Sequence, residues 1–336
     1  MKVSVILSNR NDTSMLAVTV RSCIEELKPI DGESEVVICD NSDKEFQETL
    51  TSYLPNGYFK DRKIRLHYQK FPCLFTARET AIQHALGEYI VCVDSHMIIG
   101  RDMILDLVNF MDRHKHGKEI GFAHAPISWM HQHERMARHD RDMTQNELGN
   151  WGTAFAYEQM MTWKGMPWIC RKDFWHNILG GYGALAEHKV SWGGGDMHIG
   201  IKPWLLGYPN WAVPTSPAIH CGPFPKPKKG KADPKAKYRL YHTSGETPHC
   251  LGFLISCYVL GGEEMMFRNK EKIGQRFGRQ LNIEANWERA KEIGESEKNW
   301  LDARKIRTFE DLLKTRPWDE YTSNSRRLLG SVAGAR

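Results

Sequence analysis

Over the first hundred positions, apolar residues gather in short dense runs separated by polar stretches of helical period. Val3 to Leu7 (VSVIL), Glu35 to Cys39 (EVVIC) and Glu88 to Val93 (EYIVCV) are nearly continuous and rich in β-branched residues, the pattern of parallel strands buried on both faces. Each runs into a polar tip: SNRND after the first, Asp40-Asn41-Ser42-Asp43 after the second, Asp94-Ser95-His96 after the third. Between them, 14–27, 43–54 and 75–86 carry helical spacing, with Gly87 read as the stop of the last, and Ile64 to Tyr68 reads as a further short strand. This alternation predicts an α/β protein with a doubly wound sheet, whose ligands sit beyond the carboxyl ends of the strands. Asp40 and Asp94 fall there. SNRND contains no glycine, so the first turn lacks a dinucleotide-binding fingerprint.

Past residue 100 the pattern loosens. A helix fits 101–114, and 123–175 is rich in His, Met and Trp. Met160, Met161, Trp163, Met166 and Trp168 there read as core or pocket wall, and HQHERMARH (131–139) as a polar face of helical spacing. Glycines then punctuate GGYG and WGGGD (180–196), followed by a helical IGIKPWLLG. Residues 223–237, PFPKPKKGKADPKAK, hold four prolines and six lysines with almost no apolar content, so they predict an exposed loop. Beyond Pro248 the chain reads as helical and charged, with a capped helix at TFEDLLK, where Thr308 precedes Asp311 by three.

At 336 residues and 41% hydrophobic the chain can bury a large core, which excludes a disordered or fibrous polymer. We expect a catalytic domain over 1–250 and a helical extension over 251–336. Within the first, 1–100 would be the nucleotide-binding half and 101–250 the acceptor half, with a lysine-rich loop at 223–239. A formal charge of +5 is too mild to name a partner unless the excess is concentrated. The eight cysteines form no CxxC pair and several lie in apolar runs, so they read as buried free thiols of a reducing compartment. The N-terminal apolar run is too short for a signal peptide, and no stretch approaches the roughly 18 apolar residues of a membrane span. The expectation is a cytoplasmic protein without a membrane anchor.

Asp94-Ser95-His96 is the strongest chemical feature. Side chains two apart in an extended segment point the same way, so a carboxylate and an imidazole can reach one cation, and mixed oxygen and nitrogen donors suit Mn²⁺. The run GEYIVCVDSH, with ARETAIQHAL before it and VSVILSNRND and EVVICDNSD upstream, resembles the GT-A glycosyltransferases of family 2, most closely the polypeptide N-acetylgalactosaminyltransferases. Those enzymes carry a DxH motif in place of DxD. WGGGDMHIGIKPWLLG (Trp192 to Gly207) is similar to their WGG block, and His220 stands thirteen residues later, where the family places a third metal-ligating histidine.

The resemblance implies a GT-A fold with a mixed sheet, and Asp94, His96 and His220 holding Mn²⁺ (or Mg²⁺) against the diphosphate of a UDP-sugar. It further implies Asn9 and Asp40 near the nucleoside, Arg78 positioning the donor, and Trp192 and Asp196 bordering the sugar and acceptor. The family's acidic residue after WGG is here Gly195, with Asp196 one place on, and its arginine after the third histidine is replaced by CGPF. The similar enzymes retain anomeric configuration, which implies attack on the face that the diphosphate leaves.

Lys226, Lys228, Lys229, Lys231, Lys235 and Lys237, with Arg239, follow directly on His220 and would form a cationic lip suited to a polyanionic acceptor. They serve equally as a solvated linker. The acceptor expected is a hydroxymethylated pyrimidine in DNA, turned out of the duplex to reach the pocket. The alternatives are transfer to a protein or cell-surface glycan, and an inactive GT-A module that binds nucleic acid. Oligomeric state is not legible.

Overall fold

The protein is described from a computed structural model covering residues 2–30, 32–54, 63–113, 119–129, 132–135, 158–160, 165–221, 249–277 and 283–311. The first half alternates as the hydrophobic pattern requires: β1 (Val3–Asn9), α1 (Thr13–Leu27), β2 (Ser34–Asp40), α2 (Lys44–Tyr53), β3 (Ile64–Tyr68), α3 (Leu74–His84) and β4 (Tyr89–Asp94). The four strands are parallel in the order β3-β2-β1-β4. Their register places Asn9 opposite Asp40 and Ser8 opposite Asp94, so the polar tips share one edge of the sheet. Val3 to Leu7, Val36 to Cys39 and Tyr89 to Val93 are buried throughout.

The second half adds β5 (Met97–Ile98), α4 (Met103–Arg113), β6 (Ala123–His124), β7 (Ile127–Trp129), β8 (Gln132–Arg135), β9 (Glu158–Met160) and β10 (Trp168–Arg171). A π-helical turn, Phe174–Leu179, precedes α5 (Ala184–Glu187), α6 (Gly195–Leu205), β11 (Asn210–Ala212), β12 (Ala218–His220), α7 (His249–Phe277) and α8 (Ile283–Asp302). β10 joins β4 antiparallel and extends the first sheet to eight strands, β3-β2-β1-β4-β10-β6-β11-β9. A second sheet, β5-β12-β7-β8, lies apart from it in the pairing scheme. The sheet is therefore mixed, as expected, and Met166 and Trp168 are buried in the core.

Three expectations are corrected. Gln132–Arg135, the described part of 131–139, is not helical but a strand, because pairing with β7 (Ile127 opposite Arg135, Trp129 opposite Gln132) overrides the helical spacing read there. Gly87 does not stop α3, which ends at His84 with Ala85 extended. Its lack of a side chain serves a close approach, since a Cβ there would lie 2.4 Å from the Ser4 nitrogen. Among the described residues one helical stretch, Cys250–Glu271, is long and apolar enough to cross a membrane, but most of it is buried against the rest of the fold, as a core helix is. All eight cysteines are buried free thiols. Thr308 and Asp311 exchange the expected reciprocal bonds: the Asp311 amide donates to Thr308 Oγ1 at 3.0 Å, and the Thr308 amide to Asp311 Oδ2 at 2.7 Å.

The helical extension is tied to the glycine-rich segment by a buried charge cluster. Glu297 of α8 accepts from Lys202 Nζ at 2.7 Å, from the Ala184 amide at 2.8 Å, and lies 2.9 Å from His198 Nε2. Lys202 is fully buried and donates also to the Gly181 carbonyl at 2.6 Å. Burial opposes the charge on Glu297, but His198 and Lys202 outweigh it and hold the carboxyl below the usual carboxylate range. Glu297→Gln would leave a buried ammonium without its counter-charge, so the expected loss is about 3 kcal/mol in urea unfolding at neutral pH. A depressed folded pKa stabilises above the unfolded value, about 4.3, and that contribution is lost as pH falls below it. The gap between wild type and variant should therefore narrow in unfolding curves taken from neutral pH toward pH 3.

Candidate active site

Asp94 closes β4, and a tight turn through Ser95 and His96 leads into β5. Thr19 of α1 holds this turn from below: its hydroxyl donates to the Ser95 carbonyl and accepts from the Met97 amide, both at 3.0 Å. β12 pairs antiparallel with β5, setting His220 opposite Met97, and the Cys221 amide donates to the His96 carbonyl at 2.8 Å. Two histidines 124 positions apart thus become neighbours. Their Nε2 atoms stand 3.1 Å apart with the rings nearly perpendicular, at 84°. His220 Nε2 lies 3.8 Å from Asp94 Oδ2, and one donor atom from each of the three residues falls within 4.8 Å of the others.

These separations fit a shared divalent ion. Adjacent donors around an ion with bonds of about 2.1 Å lie about 3 Å apart, and a carboxylate oxygen with two imidazole nitrogens suits Mn²⁺. Arg78 prepares the carboxylate. This buried guanidinium donates through Nη2 to Asp94 Oδ1 at 2.9 Å and through Nη1 to the Tyr182 hydroxyl at 3.1 Å, leaving Oδ2 turned toward His220. Burial disfavours the charge on Asp94, yet Arg78, His96 and His220 together hold its carboxyl below the usual range. His96 moves the other way: burial lowers its pKa, but the bond to Asp12 and the charge of Asp94 raise it overall.

Asn9 and Asp40 meet as their register requires, Asn9 Nδ2 donating to Asp40 Oδ1 at 2.7 Å. Ser42 Oγ donates to the same oxygen at 2.6 Å, while Asp40 Oδ2 is buried with no partner among the described residues. Burial pushes the Asp40 carboxyl up. Asn41 Nδ2 and Gln69 Nε2 both donate to the Cys73 carbonyl, at 3.1 and 3.2 Å, while their side-chain oxygens are buried acceptors with no partner among the described residues.

Trp192 is half-buried and packs on Phe253 of α7, ring centroids 6.0 Å apart. Asp196, in the first turn of α6, accepts from the Gly165 amide at 2.8 Å, and its charge acts on Arg78 and Tyr182. The glycine at 195 has a steric reason: a Cβ would sit 2.2 Å from the Phe75 ring, so no acidic side chain fits there and Asp196 is the nearest position free to carry one. Lys226, Lys228, Lys229, Lys231, Lys235, Lys237 and Arg239 lie outside the described residues. Sequence reasoning missed Tyr182, Thr19 and Asp12. Tyr182 stood inside GGYG, whose glycines drew attention away from it, and Asp12 read as one more polar residue of SNRND.

Arg78→Met removes the donor of both Asp94 Oδ1 and the Tyr182 hydroxyl. The expected cost is about 3 kcal/mol in urea unfolding, with Arg78→Lys recovering only part, since an ammonium does not reproduce the planar two-sided fork.

Residues 4–164 match the glycosyl transferase family 2 profile. No curated protein matches the chain. Among solved structures, GalNAc-T7 with UDP, GalNAc and Mn²⁺ superposes with a TM-score of 0.64 at 18% identity, over 96% of this chain and 58% of that one. TarS 1–349 of S. aureus gives 0.51 at 13% identity, over 91% and 84%. Mannosyltransferase PcManGT from Pyrobaculum calidifontis, in complex with GDP-Man and Mn²⁺, gives 0.50 at 16% identity, over 99% and 86%. This chain thus spans 58% of the length of the GalNAc-T7 chain. The fold is that of GT-A glycosyltransferases of known structure, and residues 4–164 carry the likeness to the family 2 profile.

Proposed function

We propose that this protein is a metal-dependent, retaining glycosyltransferase that moves a sugar from a UDP-sugar to a hydroxyl, and that the hydroxyl belongs to a hydroxymethylated pyrimidine in DNA. The observation that carries the enzymatic reading is the convergence of Asp94 Oδ2, His96 Nε2 and His220 Nε2 at the carboxyl edge of the parallel strands. A Mn²⁺ (or Mg²⁺) ion bound there supplies positive charge to the departing diphosphate. Arg78 keeps Asp94 ionised and turned toward that position; it acts through the carboxylate, both of its terminal nitrogens being engaged. Asp40 Oδ2 suits an N–H or O–H group of a nucleoside, with Asn9 fixing the orientation of Asp40. Trp192 and Asp196 border the sugar and acceptor side. Retention, by attack on the face the diphosphate vacates, follows the resemblance to the polypeptide N-acetylgalactosaminyltransferases.

Residues 1–250 are assigned as the catalytic domain and 251–336 as an extension that braces it, in keeping with the Glu297 cluster. The DNA acceptor rests on the lysine-rich sequence that follows His220 in the chain, whose charge suits phosphates.

The test is transfer of labelled UDP-sugars, with Mn²⁺, to hydroxymethyl-pyrimidine DNA, unmodified DNA, and protein or glycan acceptors. The expected result is transfer to the modified duplex alone, abolished by a chelator. Asp94→Ala or His220→Ala should lower it on the order of 100-fold or more, since even outer partners of metal ligands matter by about 10- to 100-fold. Transfer only to protein or glycan would keep the enzyme and overturn the DNA acceptor; DNA binding without donor turnover would mean an inactive module. DNA affinity should also fall steeply with salt, and less steeply once the six lysines are alanine.

A further inference from the structure

We propose that Asp12 is a positioning residue of the metal site: its carboxylate accepts a hydrogen bond from the Nδ1–H of His96 and so leaves the Nε2 lone pair to face the ion. The inference rests on the metal reading above. Asp12 occupies the N-cap of α1, a place where aspartate ordinarily accepts from first-turn amides, yet it makes no side-chain capping bond. Its Oδ2 lies instead 3.3 Å from His96 Nδ1. A residue suited to a local task and turned away from it marks a functional demand.

The turn that aims Asp12 is built for the purpose. Asn11 adopts the left-handed conformation, φ 56°, which is sparsely populated outside glycine. It is held there by the neighbouring loop: Asn11 Nδ2 donates to Asp43 Oδ2 at 2.8 Å, the Asp43 amide returns a bond to Asn11 Oδ1 at 2.8 Å, and the Asn11 amide donates to Ser42 Oγ at 2.7 Å. Arg10 locks the same two loops through the Asn41 carbonyl at 2.6 Å and Asp43 at 3.1 Å. From the other end of the motif, Thr19 pins the backbone on both sides of His96. The imidazole is therefore gripped at its backbone by α1 and at Nδ1 by the residue that opens α1.

The tautomer follows. A neutral imidazole carries one proton; held at Nδ1 by its hydrogen bond to a carboxylate, it leaves Nε2 as the acceptor, and Nε2 is the atom facing His220 across 3.1 Å. A carboxylate behind a ligating histidine also raises its basicity and fixes its ring plane, the arrangement by which outer partners tune metal sites.

The test is Mn²⁺ binding by the full chain without donor, measured by calorimetry, with pulsed electron paramagnetic resonance reporting the directly bound imidazole nitrogens. Asp12→Asn keeps size and capping ability, so its melting temperature should match wild type, while Mn²⁺ affinity drops about 10- to 100-fold and the nitrogen couplings change. Asp12→Glu should recover part of the affinity, and saturating Mn²⁺ should restore turnover to the Asn variant. Wild-type affinity in both Asp12→Asn and Asp12→Ala would overturn the inference and leave the metal reading standing. A wild-type chain that binds no Mn²⁺ would overturn both.

Discussion

The pairing of β12 with β5 is the constraint on which the site depends. Two-residue β5 exists as a strand only because β12 runs beside it, and that ladder sets His220 against His96 from 124 positions away. The other groups closest to the two histidines come from the first hundred residues: Asp94 ends β4, Arg78 faces it from α3, and Asp12 and Thr19 reach the DSH turn from α1. A parallel sheet collects strand ends along one edge without further instruction, which is why those groups meet. His220 has no such guarantee and is delivered by the second sheet.

Much of this was legible in the residues. The strands and helices of the first half follow from buried apolar runs and helical spacing, and the resemblance carried by DSH, the WGG block and the third histidine implied that Asp94, His96 and His220 meet, as they do. What hid were contacts that depend on partners distant in sequence. Gly87 looks like a helix stop until Ser4 of β1 is placed against it. Gln132 to Arg135 looks helical until Ile127 and Trp129 pair with it. The shift of the acidic residue from 195 to 196 reads as an irregularity until the Phe75 ring is seen filling the space. Asp12 could have been found as an acidic residue between a strand end and a helix start, but nothing in sequence tells an N-cap from a carboxylate turned the other way.

The helical extension is part of the same physical object. Glu297 holds Lys202, the Ala184 amide and His198, and Tyr182, two residues before Ala184, accepts from Arg78 at its hydroxyl oxygen and donates its amide to Glu79 Oε1 at 2.5 Å. The left-handed glycines at 180, 181 and 183 let that segment wrap two buried carboxylates, one from α3 and one from α8. The support of Asp94 thus runs from the sheet edge through Arg78 and Tyr182 to the segment the extension grips.

The most direct measurement is a crystal of this protein grown with Mn²⁺ and UDP, with anomalous data collected at the manganese edge. The account predicts one strong peak within about 2.3 Å of Asp94 Oδ2, His96 Nε2 and His220 Nε2 together, with the diphosphate on its open side. A peak elsewhere, or the three side chains turned apart around no ion, would contradict it.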